Sequence, residues 1–168
     1  FLMMPEETST TLLRHRKGEE PSLADDNVNA FCEQSNGELW IATDNGISIY
    51  NPPNNRCRQI LPGNVVLSIS IDSQDIIAAG TYGNGVFLLN SQGEILHHYL
   101  STNSSLPSDY LSTVQFDTDR DLWIGTMDNQ LLQLEHPTRQ WKSYNVIKAR
   151  CIAQKLSLIH ISEPTRLL

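Results

Sequence analysis

The sequence predicts an all-β fold made of repeated units, and three related stretches carry this prediction. "ELWIAT" (Glu38–Thr43) and "DLWIGT" (Asp121–Thr126) share a Leu-Trp-Ile core, and Trp40 and Trp123 lie 83 positions apart (123 − 40). That distance equals two periods of about 41 residues, and its midpoint holds "DIIAAGT" (Asp75–Thr81). Repeats of about 40–45 residues have the length of one four-stranded propeller blade. We therefore predict a β-propeller fragment with about three complete blades and two partial ones.

Each element of the first complete blade, residues 22–61, has its own local signal. Four short segments rich in strand formers, "NVNAFCE", "ELWIAT", "ISIYN" and "CRQIL", alternate with turn residues. The "DNG" at residues 44–46 fits a tight hairpin, because Asn-Gly tolerates the positive φ that such turns require. "PPNNR" at residues 52–56 turns the chain again. The pattern predicts four consecutive antiparallel strands.

The same order of strands and turns recurs twice further along the chain. Residues 64–101 contain "VVLSISID", "DIIAAGT", "VFLLN" and "EILHHYL", and residues 108–145 contain "YLSTVQFD", "DLWIGT", "LLQLE" and "QWKSYN". These ranges are the predicted second and third blades. Residues 1–20 are expected to be the tail of an earlier blade, and residues 146–154 the first strand of the next.

The second strand of each repeat is predicted to be buried on both faces. Alternate residues of a strand face opposite sides, so Leu39 and Ile41 face one way and Trp40 and Ala42 the other. Both sets are apolar, as a blade packed between two neighbours requires. The small residue after the Ile position (Ala42, Ala79 and Gly125) is expected to leave room for the adjoining blade.

A set of residues is assigned to the repeat framework. In the second repeat Ala78 stands where tryptophan is expected, so Tyr82 or Phe87 is expected to fill that interface. The repeated threonines suit strand ends, where a hydroxyl can bond nearby backbone. The predicted structural residues are Trp40, Thr43, Gly80, Thr81, Trp123, Gly125 and Thr126.

Composition argues against several classes of function. The net charge is −7, and no cluster of Lys and Arg offers a phosphate-binding surface, so nucleic acid is not an expected partner. No run of 18 apolar residues occurs, so we expect no membrane contact by this fragment. Cys32, Cys57 and Cys151 lack metal-ligand spacing and are expected to be small core residues.

No motif predicts a catalytic residue, a cofactor site or a metal site. The acidic stretch "DTDRD" (Asp117–Asp121) would need Gly and Glu at later positions of a calcium loop, where Leu122 and Asp128 stand instead. His97 and His98 are adjacent on a strand and point to opposite faces, so they do not easily share one ion.

The repeats resemble the two-component regulator propeller repeat. "DLWIGT" matches its Leu-Trp-Ile-Gly-Thr pattern, "ELWIAT" has Ala42 in place of Gly, and "DIIAAGTYGNGVFLLN" (Asp75–Asn90) keeps Gly-Thr but loses Trp. The third repeat departs from the pattern at Gln130, where the second repeat has Gly85. The resemblance covers about residues 1–154.

The resemblance implies a ligand-sensing ectodomain fragment of a hybrid two-component sensor histidine kinase. Such regions are typically periplasmic parts of inner-membrane proteins, and many respond to breakdown products of complex polysaccharides. The implied partners are an oligosaccharide or other small ligand, the rest of the same propeller, and a second copy of the full-length sensor. Two alternatives remain open, a propeller-fold enzyme (lyase or glycosidase) and a plain protein-interaction scaffold.

Turns at the rim of a propeller are the places where such folds bind partners. The turns between the second and third strands differ between the repeats: "DNG", "YGNG" and "MDNQ". Their candidate ligand-binding residues are Asp44, Asn45, Tyr82, Asn84 and Asp128. Ordinary turn chemistry is the competing interpretation of the same residues.

The two ends of the chain depart from the repeat pattern. The sequence opens at Phe1 without Met, which suggests a fragment cut inside a longer protein. "LSLIHISEPTR" (Leu156–Arg166) looks like the translation of a transposase-type sequencing-library adaptor. Residues 155–168 are therefore predicted to be a non-native tail and are excluded from the fold prediction.

Overall fold

The computed structural model describes residues 12–145, which form three four-stranded antiparallel sheets. Blade 1 consists of β1 (Val28–Glu33), β2 (Leu39–Thr43), β3 (Gly46–Asn51) and β4 (Arg56–Ile60), with a 3-10 helix at Pro52–Asn54 before β4. Blade 2 consists of β5 (Val66–Ile71), β6 (Ile77–Thr81), β7 (Val86–Leu89) and β8 (Ile95–Tyr99). Blade 3 consists of β9 (Leu111–Phe116), β10 (Leu122–Thr126), β11 (Leu131–Leu134) and β12 (Trp141–Tyr144). The predicted all-β propeller architecture is confirmed.

Several sequence predictions fall outside the described residues. They are the start of the blade tail at residues 1–11, the extra first strand at residues 146–154, the thiol of Cys151 and the non-native tail at residues 155–168.

Strand order within each blade follows the order of the sequence, as consecutive hairpins require. The first and second strands of every blade share a register shift at the same end of the pair. It falls between Val28 and Ala30, between Val66 and Ser68, and between Gly125 and Thr126. The repeat therefore extends from the sequence pattern to the fine geometry of the backbone.

The first strands of adjacent blades contact one another, β1 with β5 and β5 with β9. Serine side chains join two of these strands: Ser68 Oγ accepts from the Val114 amide at 3.0 Å, and Ser70 Oγ accepts from the Phe116 amide at 2.9 Å. Between β1 and β5, Asn29 Nδ2 donates to the Val66 carbonyl at 3.0 Å. The first strands consequently form the inner side of the array.

Strand β2 is buried on both faces, as its sequence predicts. Trp40 and Ala42 are fully buried in an apolar cluster with β5, β6 and β7 of blade 2. Ile41, on the other face, packs in a separate cluster with Leu23 and Tyr50. Each blade therefore contributes one face to the core shared with each neighbour.

The structure corrects the prediction for the small residue of the second repeat. Ala79 pairs with Phe87 and belongs to the cluster between blades 1 and 2. Gly80 faces blade 3, where an added Cβ would lie 2.8 Å from Val114 Cγ1. Gly80, and not Ala79, is therefore the residue that lets the next blade approach closely.

The tryptophans of blades 1 and 3 make the same hydrogen bond. Trp40 Nε1 donates to Gln34 Oε1 at 2.8 Å, and Trp123 Nε1 donates to Asp117 Oδ2 at 2.8 Å. Each acceptor stands six residues before its tryptophan. In blade 2 the acceptor position is Asp72, six residues before Ala78.

The prediction that Tyr82 or Phe87 fills the place of the missing indole is wrong. Tyr82 is 55% exposed. Phe87 points toward blade 1, because it pairs with Ala79 and not with Ala78. The Arg120 guanidinium of blade 3 takes the role of the missing indole N–H group, because its Nε donates to Asp72 Oδ2 at 2.7 Å. A salt bridge between blades thus replaces a hydrogen bond within one blade.

Candidate functional site

Because consecutive strands are antiparallel, two kinds of connecting segment lie at the same edge of the array. The turns between second and third strands lie there together with the connections between blades, and we call this edge the front rim. Backbone bonds join the two sets: the Gly46 amide donates to the Asn64 carbonyl at 2.7 Å, and the Gly85 amide donates to the Asp109 carbonyl at 3.0 Å. The turns and the connections between blades at the front rim are therefore hydrogen bonded to each other.

The repeated threonines clamp the turns of the front rim. Thr43 and Thr81 are fully buried, and their hydroxyls donate to the Gly46 and Gly85 carbonyls at 2.9 and 2.7 Å. Thr126 is similarly buried, and its hydroxyl accepts from the Gln130 amide at 3.0 Å. These bonds fix the backbone from which the rim side chains project.

Glycine is required at two of these turns. Gly46 and Gly85 have φ values of 101° and 63°. A Cβ at Gly46 would lie 2.4 Å from the Ile60 carbonyl oxygen, and one at Gly85 would lie 2.1 Å from the Tyr99 carbonyl oxygen. Both turns therefore rest directly on the last strand of their own blade.

The candidate Asp44 is engaged by neighbouring amides. Its Oδ2 accepts from Asn27 Nδ2 at 3.1 Å, and its Oδ1 accepts from Asn29 Nδ2 at 2.8 Å. Because Asn29 also donates to the Val66 carbonyl, Asp44 belongs to a polar connection between blades 1 and 2.

The candidates Asn45 and Asn84 also serve the framework. Asn45 Oδ1 accepts from the Gly63 amide at 2.8 Å, and Asn84 Nδ2 donates to Asn64 Oδ1 at 2.7 Å. Both side chains thereby hold the connection between blades 1 and 2. Asp128 is exposed and accepts from Gln130 Nε2 at 3.0 Å within its own turn.

Tyr82 lies in an exposed patch with two residues that sequence reasoning did not select. Its ring meets that of Tyr110 edge to face, with centroids 5.0 Å apart and planes at 78°. Met127 follows, with its amide donating to the Tyr110 carbonyl at 2.9 Å. The three side chains are 55%, 50% and 45% exposed. We call Tyr82, Tyr110 and Met127 the rim patch.

The rim patch is rigid at its base and open at its surface. Tyr82 and Tyr110 form an isolated β-bridge between blades 2 and 3. The Gly83 and Gly85 amides both donate to the Asp109 carbonyl, at 3.1 and 3.0 Å. Exposed apolar side chains on such a fixed backbone are typical of a recognition surface.

The described residues contain no group of three or more His, Cys, Asp or Glu side chains placed to hold a metal ion. Burial raises the pKa of Cys32 to about 12. Burial, followed by the Glu20 carboxylate, raises the pKa of Cys57 to about 11. Both groups are free thiols, and the raised pKa values keep them protonated at neutral pH.

The opposite edge of the array, which we call the back rim, carries the turns within each pair of first and second strands. Polar contacts also cross between blades here. Ser35 of blade 1 donates from its amide to Asp75 Oδ1 at 3.1 Å and from its hydroxyl to Asp75 Oδ2. Arg120, at the matching turn of blade 3, reaches Asp72 of blade 2. Both Asp75 and Arg120 have positive φ, 58° and 67°.

Comparison with known families supplies the decisive observation. The family model "Two component regulator propeller" matches residues 22–45, which include β1 and β2. The chain contains a two-component regulator propeller repeat. The resemblance predicted from "ELWIAT" is therefore confirmed, and blade 1 is the part of the chain that carries the match.

Solved structures of extracellular domains share the fold. The extracellular domain of a protein assigned as a hybrid two-component system from B. thetaiotaomicron is 26% identical, with a TM-score of 0.64, over 74% of this chain and 18% of that one. A second such domain from B. thetaiotaomicron is 18% identical, with a TM-score of 0.64, over 77% of this chain and 20% of that one. The chain thus spans about a fifth of the length of these domains.

A lyase shares the fold as well. Virginiamycin B lyase from Staphylococcus aureus is 14% identical, with a TM-score of 0.58, over 73% of this chain and 42% of that one. At that identity the likeness concerns the fold alone. No curated protein matches the chain. Within residues 12–145, no helix has the length and apolar character needed to cross a membrane.

Proposed function

We propose that this chain is part of the ligand-sensing ectodomain of a hybrid two-component sensor histidine kinase. The likeness to extracellular domains of such systems supports this assignment. The ectodomain lies in the periplasm under this proposal. The propeller binds or transmits a signal, and the chemistry of phosphotransfer belongs to a separate kinase module.

The observation that carries the proposal is the rim patch. Tyr82 and Tyr110 expose about half of their surface on a backbone that hydrogen bonds hold in place. Exposed aromatic rings offer a large apolar face together with a polar hydroxyl, and they lose little conformational entropy on binding. An oligosaccharide has apolar ring faces edged by hydroxyls, so the patch complements it in both respects.

The charge of the chain supports an uncharged ligand. With a net charge of −7, the surface repels a polyanion on approach. Asp128 and Asp109 flank the patch on their turns and can accept hydrogen bonds from sugar hydroxyls. We therefore propose a neutral oligosaccharide, with the residues of the front rim as its contacts.

Replacing both aromatic residues of the patch is the test. We expect the double variant Tyr82→Ala/Tyr110→Ala to bind the oligosaccharide at least about tenfold more weakly, since buried aromatic anchors contribute about 1–2 kcal/mol or more each. The measurement is calorimetric titration of the intact ectodomain against a panel of neutral oligosaccharides.

Ile95→Ala provides the matched control, because Ile95 is 53% exposed on the outer strand β8. This variant should bind like the wild type. Unchanged affinity in the double tyrosine variant would remove the rim patch from the proposal. Turnover of an oligosaccharide by the propeller would favour an enzyme instead.

A further inference from the structure

The interface between blades 2 and 3 contains a cavity of about 120 Å³ at the back rim. Its apolar wall includes Leu88 and Leu96 of blade 2, with Phe116 and Leu134 of blade 3. Its polar end is formed by the Asp72–Arg120 salt bridge, and Glu135, His136 and Arg139 of blade 3 also line it. The cavity lies apart from the rim patch, on the other edge of the array.

The position of the cavity follows from the repeat. In blade 1 the Trp40 indole donates to Gln34, pairs across the strand with Ile49 and lies under the Arg58 guanidinium at 5.8 Å. In blade 2 the corresponding residue is Ala78, which pairs with Leu88 and stands six residues after Asp72.

The counterparts of two residues around Trp40 line the cavity. Asp72 matches Gln34, and Leu88 matches Ile49. Arg58 pairs with Ile49, whereas Leu88 pairs with His97, the residue directly after Leu96. The cavity therefore lies next to the place that corresponds to the N–H end of the Trp40 indole in blade 1. Arg120 lies at its polar end, and the apolar side chains of both blades line the rest.

Asp72 gives the cavity a directed acceptor. Its side chain is 2% exposed. Its Oδ1 accepts from the Gln74 and Ile76 amides at 2.8 and 2.9 Å, and its Oδ2 accepts from Arg120 Nε at 2.7 Å. A carboxylate oxygen can accept two hydrogen bonds. Oδ2 carries one among the described residues, so it can take a second donor from inside the cavity.

We propose that this cavity binds a neutral single-ring aromatic molecule with one hydroxyl donor, a phenol. An apolar cavity of about 150 Å³ accepts benzene, so a cavity of about 120 Å³ suits one six-membered ring better than two fused rings. The ring packs against Leu88, Leu96 and Phe116, and the hydroxyl donates to Asp72. Benzoate has no donor for Asp72 and could be held only by Arg120 or Arg139, so benzoate binding tighter than phenol binding would overturn recognition through Asp72.

The test is a ligand-observed NMR titration of the full chain with phenol, toluene and benzoate. Phenol should bind, while toluene, which lacks the donor, should bind at least about tenfold more weakly. Two variants fill the cavity from different sides. Ala78→Trp restores the missing indole, and Leu96→Phe enlarges a side chain that is 44% exposed and can adjust.

Phenol binding should disappear in either filling variant and persist in Thr102→Trp, which adds an indole at an exposed turn. Equal binding of phenol and toluene would overturn the role of Asp72. Phenol binding that survives both Ala78→Trp and Leu96→Phe, or the absence of binding to the wild-type chain, would overturn the site. Since the rim patch is untouched, these outcomes are separate from the test of oligosaccharide binding.

Discussion

Trp40→Ala is expected to lower the free energy of unfolding by about 3–5 kcal/mol. Trp40 is fully buried between blades 1 and 2, packed with Val66 and Ile69. The truncation leaves a cavity at that interface and removes the donor to Gln34, whose side-chain oxygen is then buried without its partner. Urea denaturation of the intact propeller, followed by fluorescence of the remaining tryptophans, measures the change.

Two further variants show which part of the indole matters. Trp40→Phe keeps most of the ring and loses the N–H group, so it should cost about 1–3 kcal/mol. Met127→Ala, at a side chain that is 45% exposed, should stay within about 0.5 kcal/mol of the wild type. A loss of less than about 1 kcal/mol for Trp40→Ala would contradict packing of the blades through this residue.

Asp72→Ala is expected to lower the free energy of unfolding by about 2–4 kcal/mol. The carboxylate bonds two backbone amides of its own turn and the Arg120 guanidinium of the next blade. Removing it leaves these donors without an acceptor. The expected loss stays below that for a fully buried pair, because the Arg120 side chain is 19% exposed and can turn toward water.

Arg120→Ala is the matched comparison for Asp72→Ala in the same denaturation experiment. It removes the salt bridge and keeps the bonds from Asp72 Oδ1 to the Gln74 and Ile76 amides. Its cost should therefore be the smaller of the two. An equal or larger cost for Arg120→Ala would show that the bonds of Asp72 to its own turn contribute little.

Strand order and burial could be predicted from sequence because they depend on local periodicity. Alternation of apolar residues in "ELWIAT" places Trp40 and Ile41 on opposite buried faces, and the structure has them there. Turn residues such as Asn-Gly mark the hairpin after β2 because they allow positive φ. Both properties are determined by residues within a single blade.

The replacement for the missing tryptophan could not be predicted in this way. Arg120 follows Asp72 by 48 residues and belongs to the next blade. Nothing in the local pattern of either turn indicates that the two side chains meet. Their contact depends on the packing angle and offset between blades 2 and 3, which the sequence pattern does not specify.

The candidate site was predictable only in part. Tyr82 could be selected as a polar-aromatic residue in a rim turn, whereas Tyr110 stands in a connection between blades and meets it only because the two form a bridge. The one sequence signal for Tyr110 was its position directly before β9, the first strand of blade 3. Turn residues such as Asn45 and Asn84 bond backbone or side chains nearby, and composition alone cannot separate that role from ligand binding.

The most direct test of the proposed sensor function is the phosphotransfer activity of the full-length protein, measured with and without a neutral oligosaccharide of the kind that the ectodomain is proposed to bind. A ligand shifts a signalling equilibrium only through its different affinity for the two states, and coupling of about 1–3 kcal/mol corresponds to a change of about 5–150-fold. We predict a change in this range for the wild type and its loss in Tyr82→Ala/Tyr110→Ala. Turnover of the oligosaccharide by the isolated propeller, or a full-length protein with no membrane span and no signalling module, would contradict the assignment.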